Sequence, residues 1–490
     1  MPLNHIDFEK KELLEGIYFR QPVWLQNVSF SAYGLLLRRR RHGKFFRKKL
    51  EELKESDWWT VDEISSYHEA TLPNVIKQAY ENVPYYRNLF KSHKLVPDDI
   101  RTISDLRKIP LLKKSQVRAN QGDMLDRRFP KKELSSVTTS GTTGSPITVY
   151  LSSEGLQFQW AVRWRHKARF GLRLGDKSLM LGARLPVPIK QNKPPYWRHN
   201  RAINNTYLST YLLTPETMPH VIDWLNSEDL DYYTGYPSAM YVLARFMKSS
   251  GNRLLNRPKY TVTGAETLLP VFEQTIQAVF GTMVTDQYGM AEACGNFSMC
   301  ELGRFHLDSE FCIVELLPIK GLEHTRLRRL VFTGLTNPAM PFIRYDIGDY
   351  GIMAEGPCEC GRQSLSIEAI DGRVDDYVRT PAGQMVIGLG QVLQWTSGVD
   401  QTQIIQNKIN EVDFLIVPSR SYNKDRDQLI LEKELRKRVG NSLKINFQVV
   451  DSIPLTKSGK YRAVESNLSP SSEGERQIQL ATRSGIIGMV

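Results

Sequence analysis

The feature that most constrains this chain is a series of short β-rich runs, SLMLGA, DYYTGYP, KYTVTGAE, TMVTDQYG and RRLVFTGL, divided by helix-patterned stretches such as SAMYVLARFMKS and PVFEQTIQAVF. Strands that alternate with helices need crossover connections, and these lead to an α/β sheet covered by helices on both faces. The alternation runs from about residue 134 to about 370. Before it the chain reads as helical: SYHEATLPNVIKQAYENVPYYRNLF carries Leu72, Ile76, Ala79 and Tyr80 at helix-compatible spacing, and Pro84 is the expected stop. After GRVDDYV the texture changes to two strands with a turn near Asn410, a charged helix around LILEKELRKRV and the strand KINFQVV. The expected organisation is a helical, basic extension over 1–66, a large α/β domain over 67–373, a small α+β domain over 374–466 and a polar tail over 467–490, with no internal repeats.

A chain of 490 residues with 41% hydrophobic content can bury more than one core. Its acidic N-terminal stretch lacks the apolar segment of a secretory signal, and no apolar run reaches transmembrane length. Five cysteines do not make a disulfide framework, so a reducing cytoplasm is the expected location. The net charge of +12 is concentrated in RRRRHGKFFRKK, Arg38 to Lys49, next to Trp24, Val28, Leu35 and Leu36 at roughly helical spacing. Two readings follow for 23–49. One is a helix packed on the main body with a solvated basic face. The other is peripheral contact with an anionic membrane on its inner surface. No zinc-finger spacing or RNP-type strand accompanies the charge, so no nucleic-acid partner is expected.

The polar motifs fall at strand ends and in loops, where open α/β sheets bind ligands. SSVTTSGTTGSPITVY places hydroxyls and glycines at Thr139, Ser140, Gly141, Thr142, Thr143 and Gly144. Backbone N–H groups freed by glycine, with small hydroxyls around them, suit a phosphate. The stretch is not a Walker-type loop, because no Gly-Lys-Ser/Thr follows at the required spacing. The others are TGAE (Thr263–Glu266), DQYGMAE (Asp286–Glu292), RYDIGD (Arg344–Asp349), DGRVDD (Asp371–Asp376) and PLTKSGKYR (Pro454–Arg462). Cys300 and His306 in CELGRFH, with Cys358 and Cys360 in CECGR, offer three thiolates and an imidazole. That donor set suits a closed tetrahedral zinc site, against the alternative of unrelated turn cysteines. Cys312 reads as a core thiol in the alternating FCIVEL.

Taken in this order, from Tyr67 to Arg462, the motifs resemble the adenylate-forming superfamily. Within it they look most like the phenylacetate–CoA ligase branch, including its capsular-polysaccharide relatives. The resemblance implies a large N-terminal domain of the adenylate-forming fold and a small, mobile α+β lid. It implies that Thr139 to Gly144 wrap the β- and γ-phosphates of ATP. Gly264, Ala265 and Glu266 would line the adenine, and Tyr288 would stack on it within the segment that also holds Asp286 and Gly289. Glu292 would hold Mg²⁺, and Asp349, helped by Arg373, would bind the ribose hydroxyls. Lys460 would swing in on the small domain to neutralise charge as a carboxylate attacks the α-phosphorus. Asp375 and Asp376 fall at the family's hinge. The branch includes members with zinc at similar cysteine and histidine positions. The acid pocket would be built from QFQWAVRWRHKARFGL and YYTGYPSAM, with Trp160, Trp164, Tyr236 and Pro237 as candidates; an exposed face is the alternative for that Arg-rich helix.

Three functions compete. The first is a ligase that adenylates a carboxylic acid and passes the acyl group to CoA, in polysaccharide biosynthesis by the resemblance. The second sends the acyl group or AMP to an amine or hydroxyl acceptor. The third is a non-catalytic scaffold at a membrane. A homodimer is a further expectation.

Overall fold

The computed structural model describes residues 16–138, 147–182, 184–188, 191–319, 323–373, 378–381, 385–386, 389, 396, 398–454 and 461–468. Its framework is a thirteen-stranded sheet. At the centre lies a parallel block of β1 (Ser178–Gly182), β3 (Asn205–Ser209), β4 (Tyr232–Gly235), β5 (Tyr260–Gly264) and β6 (Met283–Gly289), in the spatial order β3-β1-β4-β5-β6. The helices between these strands, among them α6 (Met218–Ser227), α7 (Pro237–Ser250) and α8 (Pro270–Phe280), are the crossovers that parallel pairing demands. Both α7 and α8 begin on a proline and end at a left-handed glycine, Gly251 and Gly281. Close packing of β4 on β1 needs Gly235, where a Cβ would run into the Leu181 carbonyl.

Beyond β6 the alternation stops. β7 (Asn296–Met299), β8 (Phe305–Leu307), β9 (Cys312–Pro318), β10 (Leu327–Gly334), β11 (Tyr345–Met353) and β12 (Ser366–Arg373) pair antiparallel with no helix between them. The α/β expectation through residue 370 therefore holds for the parallel block and fails after Gly289. Many of these strand residues are buried, among them Phe297, Cys312 and Phe332, so their continuous apolar runs imitate parallel strands in sequence.

The opposite edge strand is β2 (Trp197–Asn200), antiparallel to β3. It is covered by α1 (Val23–Arg41). Next come α2 (Lys44–Ser56), α3 (Val61–Asn82) and α4 (Pro84–Ser92); α3 starts on a Thr60–Glu63 capping box and ends just before Pro84, as expected. Phe46, Leu50 and Leu53 of α2 pack with Phe158, Ala161 and Val162 of α5 (Ser153–Arg169), itself capped by the Ser152 hydroxyl on Gly155 N. The C-terminal unit is a sheet of β13 (Val399–Lys408), β14 (Glu411–Pro418), β15 (Lys444–Val449) and β16 (Val464–Ser466), in the order β15-β14-β13-β16, with α9 (Lys424–Val439). The β13–β14 turn falls at Ile409–Asn410, where the sequence placed it.

Candidate functional site

Four motifs converge at the C-terminal ends of the parallel strands, each joined to another by a hydrogen bond. TGAE ends β5, and Thr263 Oγ1 donates to Asp286 Oδ1 at 2.7 Å, binding it to the next strand. Asp286 is buried, and burial, opposed by the Thr263 hydroxyl, pushes its carboxyl up to about 7. Tyr288, at the end of β6, donates its hydroxyl to Asp349 Oδ2 at 2.6 Å across to β11. Glu292 is buried just beyond β6 and accepts from Tyr345 Oη at 2.9 Å. Glu266 accepts from Ser238 N of α7 at 3.3 Å and from Tyr461 N of the C-terminal unit at 2.9 Å. Its carboxylate thus bridges the two units.

The backbone is shaped around the same place. Ala265 has φ 69° and Ala293 has φ 53°, left-handed values that non-glycine residues rarely adopt and that gather at functional sites. A Cβ on Gly264 would stand 2.9 Å from the Gln287 carbonyl, so the two strand ends touch only with glycine there. Gly289 pairs in register with Asn296. The backbone of Arg373 pairs with Asp349. Thr139, Ser140, Gly141, Thr142, Thr143, Gly144, Asp375, Asp376 and Lys460 lie outside the described residues. Tyr345 and the bridging role of Glu266 were not read from sequence. Tyr345 stands directly before the Asp of RYDIGD, and that adjacency was the available signal.

Cys300, His306, Cys358 and Cys360 bring their ligand atoms within 4.8 Å of one another. Cys300 Sγ and Cys358 Sγ are 3.8 Å apart, and Cys360 Sγ is 3.4 Å from His306 Nε2. Two thiolates at zinc–sulfur distance on adjacent corners of a tetrahedron stand about 3.8 Å apart. Burial, with Arg169 and Arg362 nearby, lowers His306 to about 4, which leaves the imidazole neutral, the form that ligates. Ser364 Oγ is 3.5 Å from its other nitrogen, Nδ1. Cys312 is fully buried in the core, as read from its alternating run, and Cys294 is buried with its sulfur 3.4 Å from Met290 Sδ.

Next to this cluster is an ion network that sequence reasoning missed. Arg165 pairs with Asp308 and with Glu310 at 2.7 Å, while Asp57 receives Arg169 and Arg362. Burial alone would raise Asp57, but the guanidiniums of Arg165, Arg169 and Arg362 override it and hold the carboxyl well below the usual range. Arg165 and Arg169 are therefore not on an exposed face, and that reading of the Arg-rich helix is corrected for them; the pairing is formed by residues far apart in sequence. The other face of α5 carries Trp160, Trp164 and Lys167. Arg41 and Arg163 place their guanidinium carbons 4.2 and 5.1 Å from the Trp160 ring centre, and Lys167 lies 4.6 Å from that of Trp164. Tyr236 and Pro237, at the start of α7, follow β4 directly.

The face of α1 that meets β2 is polar. Asn27 accepts from His199 N at 3.0 Å, Ser31 from Arg201 N at 3.0 Å, and Gln26 from Arg198 Nε at 2.7 Å. Gly34 meets the Asn200 side chain, where a Cβ would clash. The opposite face holds Trp24, Val28, Leu35 and Leu36, exposed by 67, 54, 57 and 61%. No helix among the described residues is long and apolar enough to cross a membrane.

Residues 379–467 match the family model described as the CapK C-terminal domain. The chain is 25% identical to protein CapK of Staphylococcus aureus over 460 residues, covering 93% of this chain and 100% of the relative. It is 25% identical to a phenylacetate–coenzyme A ligase of Thermus thermophilus over 442 residues, covering 84% of this chain and 95% of that one. Among solved structures, a 2-hydroxyisobutyryl-CoA ligase in complex with an acyl-AMP matches with a TM-score of 0.66 at 17% identity, covering 84% of this chain and 91% of that chain.

Proposed function

We propose that this chain, a homologue of CapK and of the phenylacetate–coenzyme A ligases with the architecture of adenylate-forming enzymes, activates a carboxylic acid with ATP as an acyl-adenylate and passes the acyl group to CoA. The observation that carries the reading is that TGAE, DQYGMAE and RYDIGD meet at the ends of β5 and β6, with Asp286 held by Thr263, Tyr288 bonded to Asp349, Glu292 held by Tyr345 and Glu266 held by Ser238. In this reading Tyr288 offers a face to adenine while its hydroxyl orients Asp349 as a two-oxygen acceptor for the ribose diol. Glu292, held by Tyr345, supplies the carboxylate for Mg²⁺, which when bound neutralises phosphate charge. Acid and nucleotide are both anionic, so charge neutralisation and alignment are the main work. Lys460, which precedes Tyr461 in the sequence, would deliver the remaining positive charge.

Pyrophosphate exchange across a panel of carboxylic acids tests this directly, repeated with CoA and with amine or sugar acceptors in its place. Acid-dependent exchange is expected, and none with any acid would return the chain to the scaffold reading. Lys460→Ala should cost on the order of 3 kcal/mol in the adenylation barrier. A role in polysaccharide biosynthesis draws its support from the likeness to CapK.

The cysteine–histidine cluster fits a structural zinc ion, and elemental analysis should find one per chain; a chelator should then lower the melting temperature. The outward apolar face of α1, ending in Arg38, Arg39 and Arg40, favours peripheral contact with an anionic lipid surface. Sedimentation with phosphatidylserine vesicles at low salt should retain the protein and lose it on Trp24→Ser with Leu35→Ser. Equal sedimentation of wild type and variant would end that reading.

A further inference from the structure

α1, α5 and the loop after β1 meet at a corner that collects positive charge. Arg41, the last residue of α1, and Arg163 of α5 share the Trp160 indole, at 4.2 and 5.1 Å. Arg184, an exposed residue two past β1, adds its charge to the field felt by Arg41, Tyr33 and Tyr236. Among the described residues none of these guanidiniums is in an ion pair, whereas Arg165 and Arg169 of the same helix α5 are each paired with buried acids. His42 Nε2 and Trp164 Nε1, beside the same indole, are buried without a hydrogen-bond partner among the described residues. Burial, then Arg184, pushes Arg41 down to about 9; burial, then Arg41, pushes His42 down to about 4.

Like charges held close together and partly out of water, as Arg41 and Arg163 are, destabilise a fold when no counter-charge is present, and donors left without acceptors add to that cost. Such a corner is explained by a ligand that brings the missing charge. Guanidiniums are the side chains best suited to a carboxylate or phosphate, through paired parallel hydrogen bonds. The corner lies beside the strand-end motifs: Gln159, which precedes Trp160 on α5, donates its side-chain amide to Met290 O of DQYGMAE at 3.4 Å.

We propose that the acid this chain activates carries a second anionic group, a carboxylate or a phosphate, and that Arg41, Arg163 and Arg184 hold it. The proposal rests on the adenylation reading for the identity of the ligand as substrate, but the anion site itself does not. It also gives the basic N-terminal extension a part in substrate choice, through Arg41.

The test uses the full chain and matched acids: phenylacetate, 4-carboxyphenylacetate and 4-phosphooxyphenylacetate. Binding is read by calorimetry without ATP, and turnover by pyrophosphate exchange. The dianionic acids should bind about tenfold or more tighter than phenylacetate, and the preferred member distinguishes carboxylate from phosphate. Arg163→Gln should erase most of that ratio, and Arg163→Lys should recover part of it. Equal affinity for all three acids, or a ratio that Arg163→Gln leaves intact in a protein with wild-type melting temperature, overturns the proposal. Binding of a dianion without exchange would retain the anion site and refute adenylation; exchange with phenylacetate and no gain from the second anion would do the reverse.

Discussion

One helix, α5, presents arginine to two different worlds. On the face of Val162, Arg165 and Arg169, each guanidinium meets acids drawn from remote segments: Asp57 before α3, and Asp308 and Glu310 after β8. On the face of Trp160, Arg163 and Trp164, the guanidiniums meet aromatic rings and each other. The residue type is the same, although Arg165 is buried and Arg163 only half-buried. What differs is whether the chain supplies its own counter-ion. Where it does, arginine is part of the scaffold; where no acid among the described residues pairs with it, the proposed anion would be the partner.

The sharpest way to break this contrast is on the paired face. Arg165→Met leaves Asp308, Glu310 and Asp57 short of a cation in the interior and should cost about 3–5 kcal/mol in urea unfolding. A cost below about 1 kcal/mol would mean that the network is not holding the fold. Asp57→Asn should cost about 2–4 kcal/mol at neutral pH. Because the folded Asp57 carboxyl is held below its unfolded value of about 3.9, its contribution is present above that pH and lost as pH falls below it. Wild type and Asp57→Asn should therefore converge in stability on acidification below pH ~4, while a constant gap would contradict the pairing.

On the unpaired face the effects are smaller. His42 is lowered from 6.5 to about 4, so its contribution is complete above 6.5 and is lost as pH falls between those values. After discounting for its partial contact with solvent, the loss should be about 1–2 kcal/mol, and His42→Asn should flatten that part of the profile. Smallest of all, Arg163→Met should change stability by no more than about 0.5 kcal/mol, or raise it, since it removes a charge that no acid among the described residues compensates. A loss comparable to that of Arg165→Met would show that a hidden partner exists and would erase the contrast.

The parallel block was legible because β1, β4, β5 and β6 each announce themselves as a β-rich run before a helix or a glycine turn. The antiparallel half was not, because β10 and its neighbours are apolar enough to pass for buried parallel strands. Short motifs such as TGAE and DQYGMAE pointed to Glu266, Tyr288 and Glu292, and the structure brings these residues to the ends of neighbouring strands. The division of α5 was invisible, because nothing near Arg165 in sequence says that its partners lie at Asp308 and Glu310. Nor could spacing alone show that α1 turns its polar side inward; apolar residues at helical intervals ordinarily face a core.

That reversal in α1 has a practical outcome. The outer strand β2 and the turn after it have backbone groups pointing away from the sheet, and Asn27 and Ser31 occupy those of His199 while Ser31 and Arg38 occupy those of Arg201 and Ala202. Truncating the chain before Gly43 would uncover a flat, sticky border able to recruit another copy. The damage from such a deletion would then show first as aggregation, in a protein whose strand-end motifs TGAE and DQYGMAE were still present.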